Sequence, residues 1–95
     1  MANILSILKV TPSSPEYDRP ELVDKFRKEI GDPLGMEILK YDEEPLAFGI
    51  YNLKLYVRSP DTEEGSKKFS EFEAKIMKLE EVAECEVELQ TLMDH

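Results

Sequence analysis

An α+β sandwich in the order βαββαβ, one antiparallel four-stranded sheet with two helices on one face, is the fold class that this sequence predicts. Three observations support it. Four segments are rich in β-forming residues or alternate apolar with polar at period two. Two segments between them repeat apolar residues every three to four positions. Prolines, glycines and short polar residues punctuate the joints. One sheet face can bury both helical stripes in a ferredoxin-like split βαβ sandwich. Right-handed crossovers then set the strand order as 4-1-3-2.

The first strand is the run Ile4–Val10, which reads as buried on much of both faces. Thr11-Pro12-Ser13-Ser14-Pro15 reads as a loop. The first helix is predicted to start at Asp18 as N-cap, with Glu21 as capping-box partner and Pro20 in the first turn. Leu22, Val23, Phe26 and Ile30 form its apolar stripe. Gly31 is predicted as its left-handed C-cap, with Pro33 blocking continuation. Met36–Asp42 alternates loosely as a second strand. In the third, Ile50–Arg58, Tyr51, Leu53, Leu55 and Val57 share one face. Asp61 or Thr62 can cap a second helix with Phe69, Phe72, Ile76 and Leu79 on its buried side. In the last strand, Glu84–Leu92, period two puts Cys85, Val87, Leu89 and Thr91 on one side. Glu86, Glu88 and Gln90 then lie on the other. The helix-free sheet face is expected to carry Lys54, Tyr56, Arg58, Glu86 and Glu88.

Composition narrows the function classes. The chain has 95 residues, 12 basic and 21 acidic, for a formal charge of −9. That length predicts one domain over residues 1–95. Such a charge repels phosphate backbones, so no direct nucleic-acid partner is expected. The longest apolar run, Ile4–Leu8, is broken by Ser6 and far short of the ~20 residues of a bilayer span. No membrane partner is expected. The one cysteine, with no signal-like N-terminus, fits a reducing, cytoplasmic setting.

Candidate chemistry is sparse. His95 is the only histidine and the final residue, and reads as a tail residue. Cys85 has no Cys or His at ligand spacing and reads as a buried, inert thiol. Asp42, Glu43 and Glu44 alternate faces if extended, so they read as a solvated acidic corner rather than a metal site. Tyr41, Tyr51 and Tyr56 could form a base-stacking platform, but the acidic surroundings oppose it. The four glycines form no phosphate-cradling loop. No catalytic residue, metal or cofactor is expected. The residues describe a small acidic domain that acts by binding.

One string goes further. Glu43-Glu44-Pro45-Leu46-Ala47-Phe48-Gly49-Ile50 places a leucine and a phenylalanine between two breakers. Such a turn either enters a partner's pocket or folds Phe48 back over the end of its own sandwich. The string also resembles the "EEPIAFG" pattern of the archaeal elongation factor 1-beta family of guanine nucleotide exchange factors. Leu8-Lys9-Val10-Thr11-Pro12, followed by Ser14-Pro15, is similar to that family's "IKVMPxSP" opening. The resemblance covers essentially the whole chain.

The resemblance implies a ferredoxin-like exchange domain that is no enzyme and acts on elongation factor 1-alpha, the GTPase delivering aminoacyl-tRNA. It implies partner contacts at Ala47, Phe48, Gly49 and Ile50, with Pro45 and Leu46 beside them. The free chain is expected to be a monomer. Eukaryotic relatives end in a tail whose lysine approaches the magnesium of the GTPase. The present C-terminus, Leu92-Met93-Asp94-His95, has no lysine, so that element is not carried over. A small-ligand-binding or regulatory ACT-like module of the same fold is the alternative. Such modules favour a glycine-bearing loop after the first strand, whereas the loop here, Pro12–Pro15, contains none. An acylphosphatase-type enzyme would need an arginine in that loop, whereas the first arginine is Arg19.

Overall fold

The computed structural model describes residues 3–14, 16–46 and 50–93. Strands β1 (Asn3–Pro12), β2 (Glu37–Pro45), β3 (Tyr51–Pro60) and β4 (Val82–Met93) form one sheet in the order β2-β3-β1-β4. All three pairings are antiparallel. This is the predicted strand order, with helices between β1 and β2 and between β3 and β4.

Leu8 pairs with Leu55 and Val10 with Leu53 on the helix side of the sheet. All four are fully buried, as is Val57. From the helices, Val23, Phe26, Phe72 and Ile76 are buried completely, and Leu22, Ile30 and Phe69 nearly so. A side chain of that size gains roughly 1.5–3 kcal/mol on leaving water. One apolar layer between sheet and helices therefore holds the fold.

The first helix departs from its predicted end. Segment α1 (Arg19–Lys25) continues into a π-helical stretch (Phe26–Gly31) and a closing turn, α2 (Asp32–Leu34). The Asp32 N–H donates to the Arg27 carbonyl, five residues back. Gly31 has φ of −65° and is not the left-handed cap. That role belongs to Gly35, at φ +71°. A Cβ on Gly31 would lie 3.0 Å from the Met36 carbonyl oxygen, so this glycine serves close approach instead. Pro33 opens α2, where its missing N–H costs nothing. Asp18 occupies the N-cap position, but its carboxylate makes no capping bond. The Leu22 N–H instead reaches the Asp18 backbone carbonyl at 3.0 Å.

Helix α3 (Glu63–Met77) follows its prediction more closely, since the Thr62 hydroxyl accepts from the Gly65 N–H at 2.9 Å. Strand β1 runs on through Pro12, beyond the predicted loop start at Thr11. A register shift between Thr11 and Pro12 accommodates the proline. Strand β2 likewise runs three residues past the predicted end.

A bulge corrects the last strand. Ile7 pairs with Leu89 but Leu8 pairs with Val87, which leaves Glu88 as the extra residue. Beyond it the faces exchange. Leu89 and Thr91 take the open face, opposite Ile7 and Leu5, and Gln90 turns to the helix side. There its amide donates to the Ser6 hydroxyl at 3.1 Å. Strict period two predicted the reverse for these three residues. A second bulge, between Ile38 and Lys40, explains the loose alternation of β2 and leaves Leu39 exposed.

Candidate partner-binding site

The β2–β3 hairpin carries the string singled out above. Its two strands pair from Glu37↔Arg58 to Pro45↔Tyr51. The last described bond runs from the Leu46 N–H to the Ile50 carbonyl at 2.7 Å. Ala47, Phe48 and Gly49 lie outside the described residues, so neither alternative for Phe48 is decided. The flanks are described. Pro45 is exposed, Leu46 is 45% exposed, and Ile50 is half-buried. An apolar side chain thus stands in water at the hairpin's end, on strands rooted in the core by Leu53 and Leu55.

The acidic run is not a corner. Asp42, Glu43 and Glu44 belong to β2 and alternate sides. Glu43, on the helix side, pairs with the Arg19 guanidinium, which lies 4.2 Å over the Tyr51 ring. This contact ties the start of α1 to the hairpin base. On the open face, Asp42 accepts from the Tyr56 hydroxyl at 3.0 Å, a bond that raises the tyrosine pKa. Lys54 lies 4.0 Å from Glu44 and 3.6 Å from Glu88. The three tyrosines do not form a platform. Tyr56 is on the open face, Tyr41 packs against the core, and Tyr51 lies under Arg19.

Beside Leu46 the open face holds a groove of about 300 Å³, lined by Lys9, Thr11, Leu46, Asn52, Glu84 and Glu86. Asn52 forms its floor, only 3% exposed, and accepts from the Thr11 hydroxyl at 3.0 Å. Sequence reasoning missed this groove. Thr11 and Asn52 are 41 positions apart, and only the β1–β3 register brings them together.

Cys85 is half-buried, packed against the edge of the core. Burial, with a smaller contribution from Glu73, pushes the Cys85 thiol up to about 12. That thiol is protonated and unreactive at neutral pH. Among the described residues no cluster of His, Cys, Asp and Glu could hold a metal ion. None of the described helices is long and apolar enough to cross a membrane. His95 is outside the described residues.

The EF-1 guanine nucleotide exchange domain family matches residues 5–93. Elongation factor 1-beta of Hyperthermus butylicus is 43% identical over 88 residues, covering 93% of this chain and 91% of that protein. The Staphylothermus marinus protein of the same name is 42% identical, covering 93% of each chain. That of Pyrococcus abyssi is 41% identical, covering 90% of each. Among solved structures, the C-terminal domain of MgtC from Mycobacterium tuberculosis superposes with a TM-score of 0.63 at 9% identity, covering 98% of this chain and 89% of that one. The ACT domain of GTP pyrophosphokinase from Chlorobium tepidum gives 0.56 at 13%, covering 90% and 85%. These two likenesses concern the fold alone. The family match and the archaeal relatives run over nearly the whole length, and the chain belongs to the EF-1 guanine nucleotide exchange domain family, with the elongation factor 1-beta proteins of archaea.

Proposed function

We propose that residues 1–95 act as one cytoplasmic exchange unit that speeds GDP release from elongation factor 1-alpha through the turn 45–50. The observation that supports this best is Leu46, an exposed apolar side chain at the end of a core-anchored hairpin. An apolar surface held out by rigid strands suits insertion into a partner pocket. Phe48, two residues on, is the natural anchor. A buried aromatic at a hot spot contributes ~2–4 kcal/mol. Ala47, Gly49 and Ile50 complete the proposed partner contacts, with Pro45 beside them.

The mechanism is linkage. A factor that binds the nucleotide-free GTPase more tightly than the GDP-bound form weakens GDP binding by the same factor. An apolar wedge that displaces a phosphate-cradling segment creates that difference in affinity. No proton transfer is required, and the protonated Cys85 has no part in it. The acidic surface around the hairpin speeds encounter with a basic partner. The test is release of fluorescent GDP from archaeal elongation factor 1-alpha, with and without the chain. Acceleration that saturates with factor concentration is expected. An unchanged rate refutes the proposal.

A further inference from the structure

We infer that the groove beside Leu46 receives a single lysine- or arginine-bearing segment of the G protein; this rests on the exchange reading above. Three features of the groove fit such a segment together. Its floor is Asn52, over nine-tenths buried, whose oxygen is occupied by the Thr11 hydroxyl. The Asn52 amide nitrogen has no acceptor among the described residues, so it is available to a backbone carbonyl of an incoming chain. Its outer wall is Glu84 and Glu86 on the edge strand β4. No ion pair engages either carboxylate among the described residues, whereas Glu43, Glu44, Glu81 and Glu88 are all paired. Its third wall is Leu46, against which an alkyl stem can lie.

The spacing fits one basic side chain. Asn52 on β3 and the glutamates on β4 are separated by β1, so their backbones lie two strand spacings apart, ~10 Å. A chain whose carbonyl rests on Asn52 can extend one long basic side chain across Thr11, and the glutamates close the remaining gap. Lys9, which faces Glu86 across the β1–β4 pairing, already brings one cation to the groove and repels a second incoming one. The groove therefore selects one positive charge on a polypeptide rather than a basic patch or a divalent metal.

The test is the affinity of the full chain for elongation factor 1-alpha by calorimetry, using the double variant Glu84→Gln/Glu86→Gln. Binding roughly tenfold weaker is expected, with a reduced salt dependence. The plateau GDP-release rate at saturating factor is expected to stay at the wild-type value, because the 47–49 turn is intact. A second double variant, Glu63→Gln/Glu71→Gln on α3, removes the same charge on another element and is expected to bind normally. Wild-type affinity in the first variant overturns the inference. Equal weakening in both also overturns it, since long-range charge then accounts for the effect. Wild-type chain that binds but does not accelerate release overturns the exchange reading alone.

Discussion

Leu46 and Cys85 illustrate how side-chain environment sets what a residue can do. Leu46 is nearly half exposed and contributes little to the core. Leu46→Ala is therefore expected to leave the thermal midpoint within about 2–4 °C of wild type, since surface changes fall within about 0.5 kcal/mol either way. The same change is expected to slow catalysed GDP release several-fold. Scanning calorimetry and a stopped-flow release assay together check both halves. Cys85 is half-buried against the core, and its surroundings hold it in the protonated form. With its pKa pushed up to about 12, only on the order of one thiol in ten thousand is ionised at pH 8. Native protein is expected to react with a thiol reagent far more slowly than denatured protein; equal rates would contradict the buried placement. Cys85 was legible in the sequence because it lies in the regular stretch of β4 from Glu84 to Val87, before the Glu88 bulge. The Asn52 floor was not, because a polar residue in a strand reads as solvent-facing until its cross-strand neighbour is known.

Among the elements, helices were read from their apolar stripes and strands from alternation, and both readings fail where the backbone leaves its regular period. The π-helical stretch keeps Phe26 and Ile30 in the core while carrying the chain past Gly31, so the cap moved to Gly35. The Glu88 bulge shifted the faces of Leu89, Gln90 and Thr91. Neither insertion has a sequence signature that could be separated from ordinary scatter. Two glycines give sharp tests of this backbone. A Cβ on Gly65 would stand 2.2 Å from the Pro60 carbonyl oxygen, so part of the turn into α3 must move. Gly65→Ala is expected to destabilise by at least ~2 kcal/mol, in the range of overpacked sites. Gly35→Ala meets no neighbour within 4 Å but must adopt φ +71°. About 1 kcal/mol is expected there. Urea titration separates the two, and a Gly65 variant of wild-type stability would contradict the described turn.

For the whole molecule, the formal charge of −9 makes stability depend on how carboxylates are engaged. Lys25 of α1 and Glu81, just before β4, form an ion pair that joins the first helix to the far edge of the sheet. The hydrogen bond from Lys25 lowers the Glu81 pKa below the ordinary 4.5. A lowered folded-state pKa gives stability that is fully present above about 4.5 and is lost as pH falls through the lower folded value. The Lys25 pKa is raised, chiefly by the same bond, so its contribution holds below 10.5 and fades only above that. Glu81→Gln is therefore expected to lose less of its thermal midpoint than wild type between pH 6 and pH 3, as followed by circular dichroism. Equal losses would remove Glu81 from the acid response.

The fold, the family and the position of the hairpin were all legible in the sequence, because they rest on long periodic runs and one distinctive string. The role proposed for the turn concerns contacts with a second protein. Its most direct test is single-turnover release of labelled GDP from elongation factor 1-alpha with the Phe48→Ala variant. Release at least about tenfold slower than with wild-type factor, matching a loss of ~1.4 kcal/mol, is the expected result, with circular dichroism unchanged. Release at the wild-type rate would contradict insertion of the turn as the source of exchange.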